Sequence, residues 1–100
     1  MSVEIKICGL TNVEDARMAL DAGADYLGFV LYEKSPRGIT ADRMAEILEE
    51  LGEGVRAVGV FVNESASKVD NIVRRCHLHA AQIHGDEEPS SFSTFPHRVW

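Results

Sequence analysis

Four times in succession this chain passes from a short β-forming run into a stretch with helical apolar spacing, and that alternation leaves few folds open to it. Strands that each return through a helix run parallel, because a parallel neighbour needs a long crossover, and the helices of such crossovers cover the sheet. The expectation is an α/β fold of parallel βα units.

Glu4 to Cys8 reads as the first strand. Thr11, with Glu14 three residues on, has capping-box spacing; Val13, Ala16 and Leu20 then recur at helical intervals until Gly23 stops the helix. Tyr26 to Leu31 is the second strand, and the loop from Tyr32 to Ile39 is kept irregular by Pro36 and Gly38. Thr40 caps a second helix with a stripe of Met44, Ile47, Leu48 and Leu51, ended by "GEG". Arg56 to Val62 is the third strand, and Ser65 caps a third helix whose stripe is Val69, Ile72, Val73 and Cys76. Cys76 is thereby a small core side chain. Ala80 to Ile83 is a fourth strand, Pro89 to Phe95 a short fourth helix, and Arg98 to Trp100 the start of a fifth strand. Gly28 and Gly59, both in strands, suggest that a neighbouring layer or ligand approaches closely there.

With 100 residues, 45% of them apolar and 26% charged, the chain is a single unit spanning residues 1–100. Its net charge of −6 speaks against a nucleic-acid partner, which needs clustered Lys and Arg, and against an anionic membrane surface. Cys8 and Cys76 show neither CxxC nor metal-ligand spacing, so no disulfide scaffold or zinc site is indicated and a reducing cytoplasm is expected. Neither an export leader nor a membrane span is expected. The phosphate-cradling patterns GxGxxG and GxxxxGK[ST] are absent, which removes the basis for a nucleotide-binding reading.

In parallel βα folds, ligands gather at the carboxyl ends of the strands. Cys8 falls at such an end. Spacing alone leaves it equally a buried strand cysteine or a reactive thiol, and a reactive one must work as thiolate. Arg37, with Lys34 three residues earlier, follows the second strand; its fork of donors suits an anionic substrate, although a solvated loop arginine is the plainer reading. His84, in "QIHG", follows the fourth strand and has the chemistry of a hydrogen-bond donor or an acid or base. His77 and His79 read as surface or helix-end residues, and Asp86, Glu87 and Glu88 as a solvated loop.

Four motifs taken together are specific. "KICGLTNVEDA" at Lys6 to Ala16, "GADYLGFVLYEKSPRGI" at Gly23 to Ile39, "VGVFVN" at Val58 to Asn63 and "AQIHGDE" at Ala81 to Glu87 resemble the phosphoribosylanthranilate isomerases of tryptophan biosynthesis. The resemblance implies the first half of a (βα)8 TIM barrel, about four βα units and the start of strand five. It implies an Amadori rearrangement of N-(5'-phosphoribosyl)anthranilate, an anionic sugar phosphate, with no metal or organic cofactor. By motif matching, Cys8 is implied as the general base, Arg37 as the residue holding the anthranilate end, and His84 as a supporting part of the pocket; Asn63 receives no role. The family's general acid follows strand five, and the phosphate site of such barrels lies after strands seven and eight, so neither is matched in this chain. The 100-residue chain alone is therefore expected to be inactive. Two open sheet edges would also let a half-barrel self-associate as a non-catalytic assembly or binding module. A different sugar-phosphate βα-barrel enzyme is a weaker alternative.

Overall fold

The computed structural model describes residues 4–32, 34–62 and 64–84. The elements run β1 (Lys6–Ile7), α1 (Val13–Asp21), β2 (Tyr26–Val30), α2 (Ala41–Leu51), β3 (Ala57–Val62), α3 (Ala66–Cys76) and β4 (Ala80–His84). All neighbouring strands pair in parallel, in the order β1-β2-β3-β4. The expected Pro89–Phe95 helix and Arg98–Trp100 strand, together with Asn63 and the acids Asp86, Glu87 and Glu88, lie outside the described residues.

The strand periodicity sorts side chains onto two faces. Leu27, Phe29, Ala57, Phe61 and Ala81 join Val13, Ala16, Met44, Ile47, Val69 and Val73 of the helices in one core. Tyr26, Val58 and Ala80 form a second cluster with no helical member, so the three helices of the described residues cover one face and the other is inner. Phe29 and Phe61 are completely buried, and truncating either to Ala in such a core costs ~3–5 kcal/mol.

The helices end where local chemistry directs. Thr40 and Ser65 accept from the N–H groups of Arg43 and Lys68. The first cap, however, is Asn12 rather than Thr11: its Oδ1 accepts the Asp15 N–H at 2.8 Å. Asn is at least as good a cap as Thr, and the chain begins its helix one residue later. At the far end, Gly23 at φ +97° donates to Leu20 and Ala24 donates to Ala19, a Schellman closure. α3 closes similarly, but with His77 in the left-handed region at φ 54° and Leu78 donating to Val73. His77 is thus a helix-end residue, as expected. His79 is not a plain surface residue: half-buried, it sets its ring 5.2 Å from that of Tyr26.

β1 is shorter than the expected Glu4–Cys8. At its start the Ile5 N–H donates to the Asp25 carboxylate at 2.8 Å, and the Ile5 carbonyl accepts from both Asp25 and Tyr26. At its end Gly9, at φ +86°, turns the chain away. Cys8 therefore stands one residue past the strand. β2 and β3 are each one residue shorter than expected, and β4 is one residue longer, taking in His84.

Candidate active site

The carboxyl ends of β1 and β2 are held together by the backbone. The Gly28 carbonyl accepts the N–H groups of Gly9 at 3.1 Å and Leu10 at 3.2 Å, which fixes the turn directly after Cys8. Gly28 lies between Leu27 and Phe29, both in the helix-facing core, so it faces inward. A Cβ placed on it would stand 2.9 Å from Cys8 Sγ. The thiol is therefore on the inner face, over the one position of β2 that has no side chain, and Cys8 is exposed.

Arg37 reaches the same turn from the loop after β2. That loop folds back on itself: Ser35 donates to the Tyr32 carbonyl, Gly38 to the Ser35 carbonyl and Ile39 to the Val30 carbonyl, while Arg37 N–H donates to Ser35 Oγ at 3.3 Å. Gly38 is required here, since a Cβ would sit 2.0 Å from the Tyr32 carbonyl oxygen. The Arg37 side chain lies across Gly9, where a Cβ would come 2.7 Å from its Cδ and 3.1 Å from a guanidinium nitrogen. Arg37 is exposed and makes no ion pair among the described residues. Its charge is directed at neither an internal carboxylate nor the core.

Cys8 and Arg37, separated in sequence by two elements, thus meet around Gly9 and border one groove of about 600 Å³. The groove continues along the β1 edge past Ile7 and Met18. A second groove, of about 640 Å³ and lined by Leu48, Val55, Cys76 and His77, lies at the opposite end of the strands and touches no candidate residue. His84 is the last residue of β4, in register with Val62; its side chain lies outside the described residues. Lys34 is exposed on the Arg37 loop.

Two features of the site had no local signal. Gly9 is in sequence only the glycine that follows Cys8, and its role as the floor beneath Arg37 depends on a loop almost thirty residues away. Lys6 is in register with Tyr26 on the inner face, and its ammonium donates to Gln82 of β4 across that face. This contact joins the two outer strands of the described sheet beneath the rim. Among the described residues, no group of three or more His, Cys, Asp and Glu side chains is arranged to hold a metal ion, and no helix is long and apolar enough to cross a membrane.

Residues 5–99 match the family model of N-(5'-phosphoribosyl)anthranilate (PRA) isomerase. The chain belongs to this family. It is 50% identical over 90 residues to the N-(5'-phosphoribosyl)anthranilate isomerase of Thiobacillus denitrificans, covering 90% of this chain and 44% of that protein. To the enzyme of Trichlorobacter lovleyi it is 46% identical over 97 residues, covering 97% of this chain and 47% of the relative. The chain therefore spans about half the length of these curated relatives. Among solved structures, the mutually generated monomers of the dimeric isomerase from Thermotoga maritima superpose with a TM-score of 0.90 at 42% identity, over 99% of this chain and 52% of theirs. A PRA isomerase in complex with reduced 1-(o-carboxyphenylamino)-1-deoxyribulose 5-phosphate superposes with a TM-score of 0.91 at 40% identity, over 98% of this chain and 52% of that one. The four parallel strands and their helices are thus half of the TIM-barrel fold of PRA isomerases.

Proposed function

We propose that this chain is the N-terminal half of a cytoplasmic phosphoribosylanthranilate isomerase, with Cys8 as general base and Arg37 as the grip on the substrate carboxylate. The observation that carries the reading is the meeting, around one glycine at the carboxyl ends of parallel strands, of an exposed thiol and an arginine that makes no ion pair among the described residues. The bound ligand of the similar isomerase is a carboxyphenylamino sugar phosphate, which offers one carboxylate for an arginine fork.

In the proposed reaction an acid protonates the ribose ring oxygen of N-(5'-phosphoribosyl)anthranilate, and the nitrogen lone pair opens the ring to a Schiff base. The Cys8 thiolate removes the C2' proton; the C–H electrons form the enolamine double bond as the C=N electrons return to nitrogen. Tautomerisation then gives the ketone, and the thiol proton is returned to the medium or product. This is an aldose-to-ketose isomerisation with no net redox change and no call for a cofactor. The acid and the phosphate-binding loops belong to the barrel half that this chain does not contain, and His84, the last residue of β4, is assigned a supporting role in the substrate pocket. In the complete enzyme, Cys8→Ala is expected to lower kcat ~10²–10⁴-fold, the usual worth of a general base, and Arg37→Ala to raise KM. Steady-state kinetics showing unchanged turnover in both variants would overturn the assignment.

A second reading, self-association of the half-barrel, is favoured by one feature. Ile5 and Ile7 are exposed at 47% and 40% along β1, beside Met18 at 67% on α1. Sedimentation of the 100-residue chain alone separates the readings: a stable, inactive oligomer supports the assembly module, and a monomer over the micromolar range contradicts it.

A further inference from the structure

We propose that Gly28 is a positioning residue for the isomerisation, acting through the Cys8 thiol; the inference rests on the assignment of Cys8 as base. Gly28 is not a glycine for conformational reasons, since it is not among the residues with positive φ and it pairs with Val58 in the middle of β2. A glycine at a regular strand position weakens the strand and leaves a gap on one face. Here the gap is occupied by the thiol: a Cβ at residue 28 would lie 2.9 Å from Cys8 Sγ and 3.1 Å from both Cys8 Cβ and Cα. The contact to Sγ forces the thiol to shift, whereas those at 3.1 Å ask only a few tenths of an ångström of the β1 backbone, so the turn at Gly9 beneath Arg37 is kept.

The same residue also holds the backbone beyond the thiol, through the two hydrogen bonds its carbonyl accepts from Gly9 and Leu10. Position 28 thus fixes the chain next to Cys8 and keeps the space beside its sulfur empty. Arg37 rests on Gly9 instead, so displacing the sulfur leaves the carboxylate grip in place. Proton abstraction tolerates little misplacement, whereas binding through Arg37 does not depend on the sulfur.

Gly59 of β3 supplies the matched control. A Cβ there would be equally crowded, 2.9 Å from Leu78 Cδ1 and 3.0 Å from Phe61 Cε2, but on the helix-facing side and away from the thiol. In the complete enzyme, Gly28→Ala is expected to lower kcat by about 10²-fold with KM little changed, the scale expected for ~1 Å of misplacement. It should also change the rate and pH dependence of Cys8 alkylation by iodoacetamide. Gly59→Ala should lower thermal stability while leaving kcat and the alkylation profile as they were. Should Gly28→Ala fail to fold, the Cys8→Gly/Gly28→Ala double variant decides, because removing the sulfur and its Cβ should restore folded protein; no recovery overturns the proposal. Turnover lost in Cys8→Ala but kept in Gly28→Ala, with unaltered alkylation, overturns the proposal alone. Turnover kept in Cys8→Ala overturns the assignment of the base, and the role of Gly28 with it.

Discussion

The two cysteines differ in everything except composition. Cys8 is exposed at the rim, while Cys76 is 8% exposed, closes the buried stripe of α3 and has its Sγ 4.0 Å from the Ala41 carbonyl oxygen. Burial pushes the Cys76 thiol above its ordinary value, and the Asp42 carboxylate adds to the rise while Arg75 opposes it. A thiol-specific disulfide reagent should therefore modify one cysteine rapidly in the native protein and the second only as the fold opens. Cys8→Ala should abolish the fast phase, and a fast phase that survives in that variant would contradict the placement. The contrast explains what could be read in advance. Cys76 is settled by its own helix, since Val69, Ile72 and Val73 share its stripe. The environment of Cys8 is made by Gly28 and the turn at Gly9, which are brought to it by strand pairing, so spacing alone left it undecided.

At the scale of elements, helices were legible to within a residue because caps and apolar stripes are local, whereas strand lengths shifted because pairing is not. α1 shows how close the local competition is. Thr11 and Asn12 are both capping residues, yet only Asn12 places its oxygen on the Asp15 N–H, and its amide also donates to the Asp15 carboxylate at 3.1 Å. Asn12→Ala should accordingly cost ~1 kcal/mol of stability, and Thr11→Ala only a few tenths, measured as shifts in denaturation midpoint at constant slope. Equal losses would mean that Thr11 shares the cap. The loop after β2 was legible only as irregular. Its shape comes from Gly38, where the Tyr32 carbonyl leaves no room for a side chain, and from the Val30–Gly38 bridge that carries Arg37 back towards β1.

For the molecule as a whole, the two ends of the sheet are built for different purposes. The carboxyl end keeps a thiol and a guanidinium in reach of solvent, while the amino end ties the strands to one another. There the Tyr26 hydroxyl donates to the Glu4 carboxylate at 2.5 Å, Arg56 pairs with the same carboxylate at 3.7 Å and lies 5.8 Å from the Tyr26 ring centroid, and the His79 ring packs against that ring at a centroid distance of 5.2 Å. The parallel βα arrangement followed from the order of elements, and its place as half a barrel from the family resemblance, but nothing local marked this cluster, which gathers residues preceding or opening all four strands. Its electrostatics yield a signed prediction. The hydrogen bond to Glu4 raises the Tyr26 pKa above its ordinary 10.0, burial and the Glu4 charge add to the rise, and Arg56 opposes it. The folded chain then retains the phenolic proton at a pH where the unfolded chain releases it. The contribution to stability is complete below about pH 10 and is lost as pH rises through the folded value. Tyr26→Phe removes that proton, so its stability should fall less steeply than that of the parent between about pH 9 and 11, although it starts lower for want of the hydrogen bond. Denaturant midpoints across that range test the difference of slopes, which cancels the titration of Cys76 and of the other tyrosine common to both proteins; parallel curves would show that Tyr26 is not held in its neutral form by Glu4.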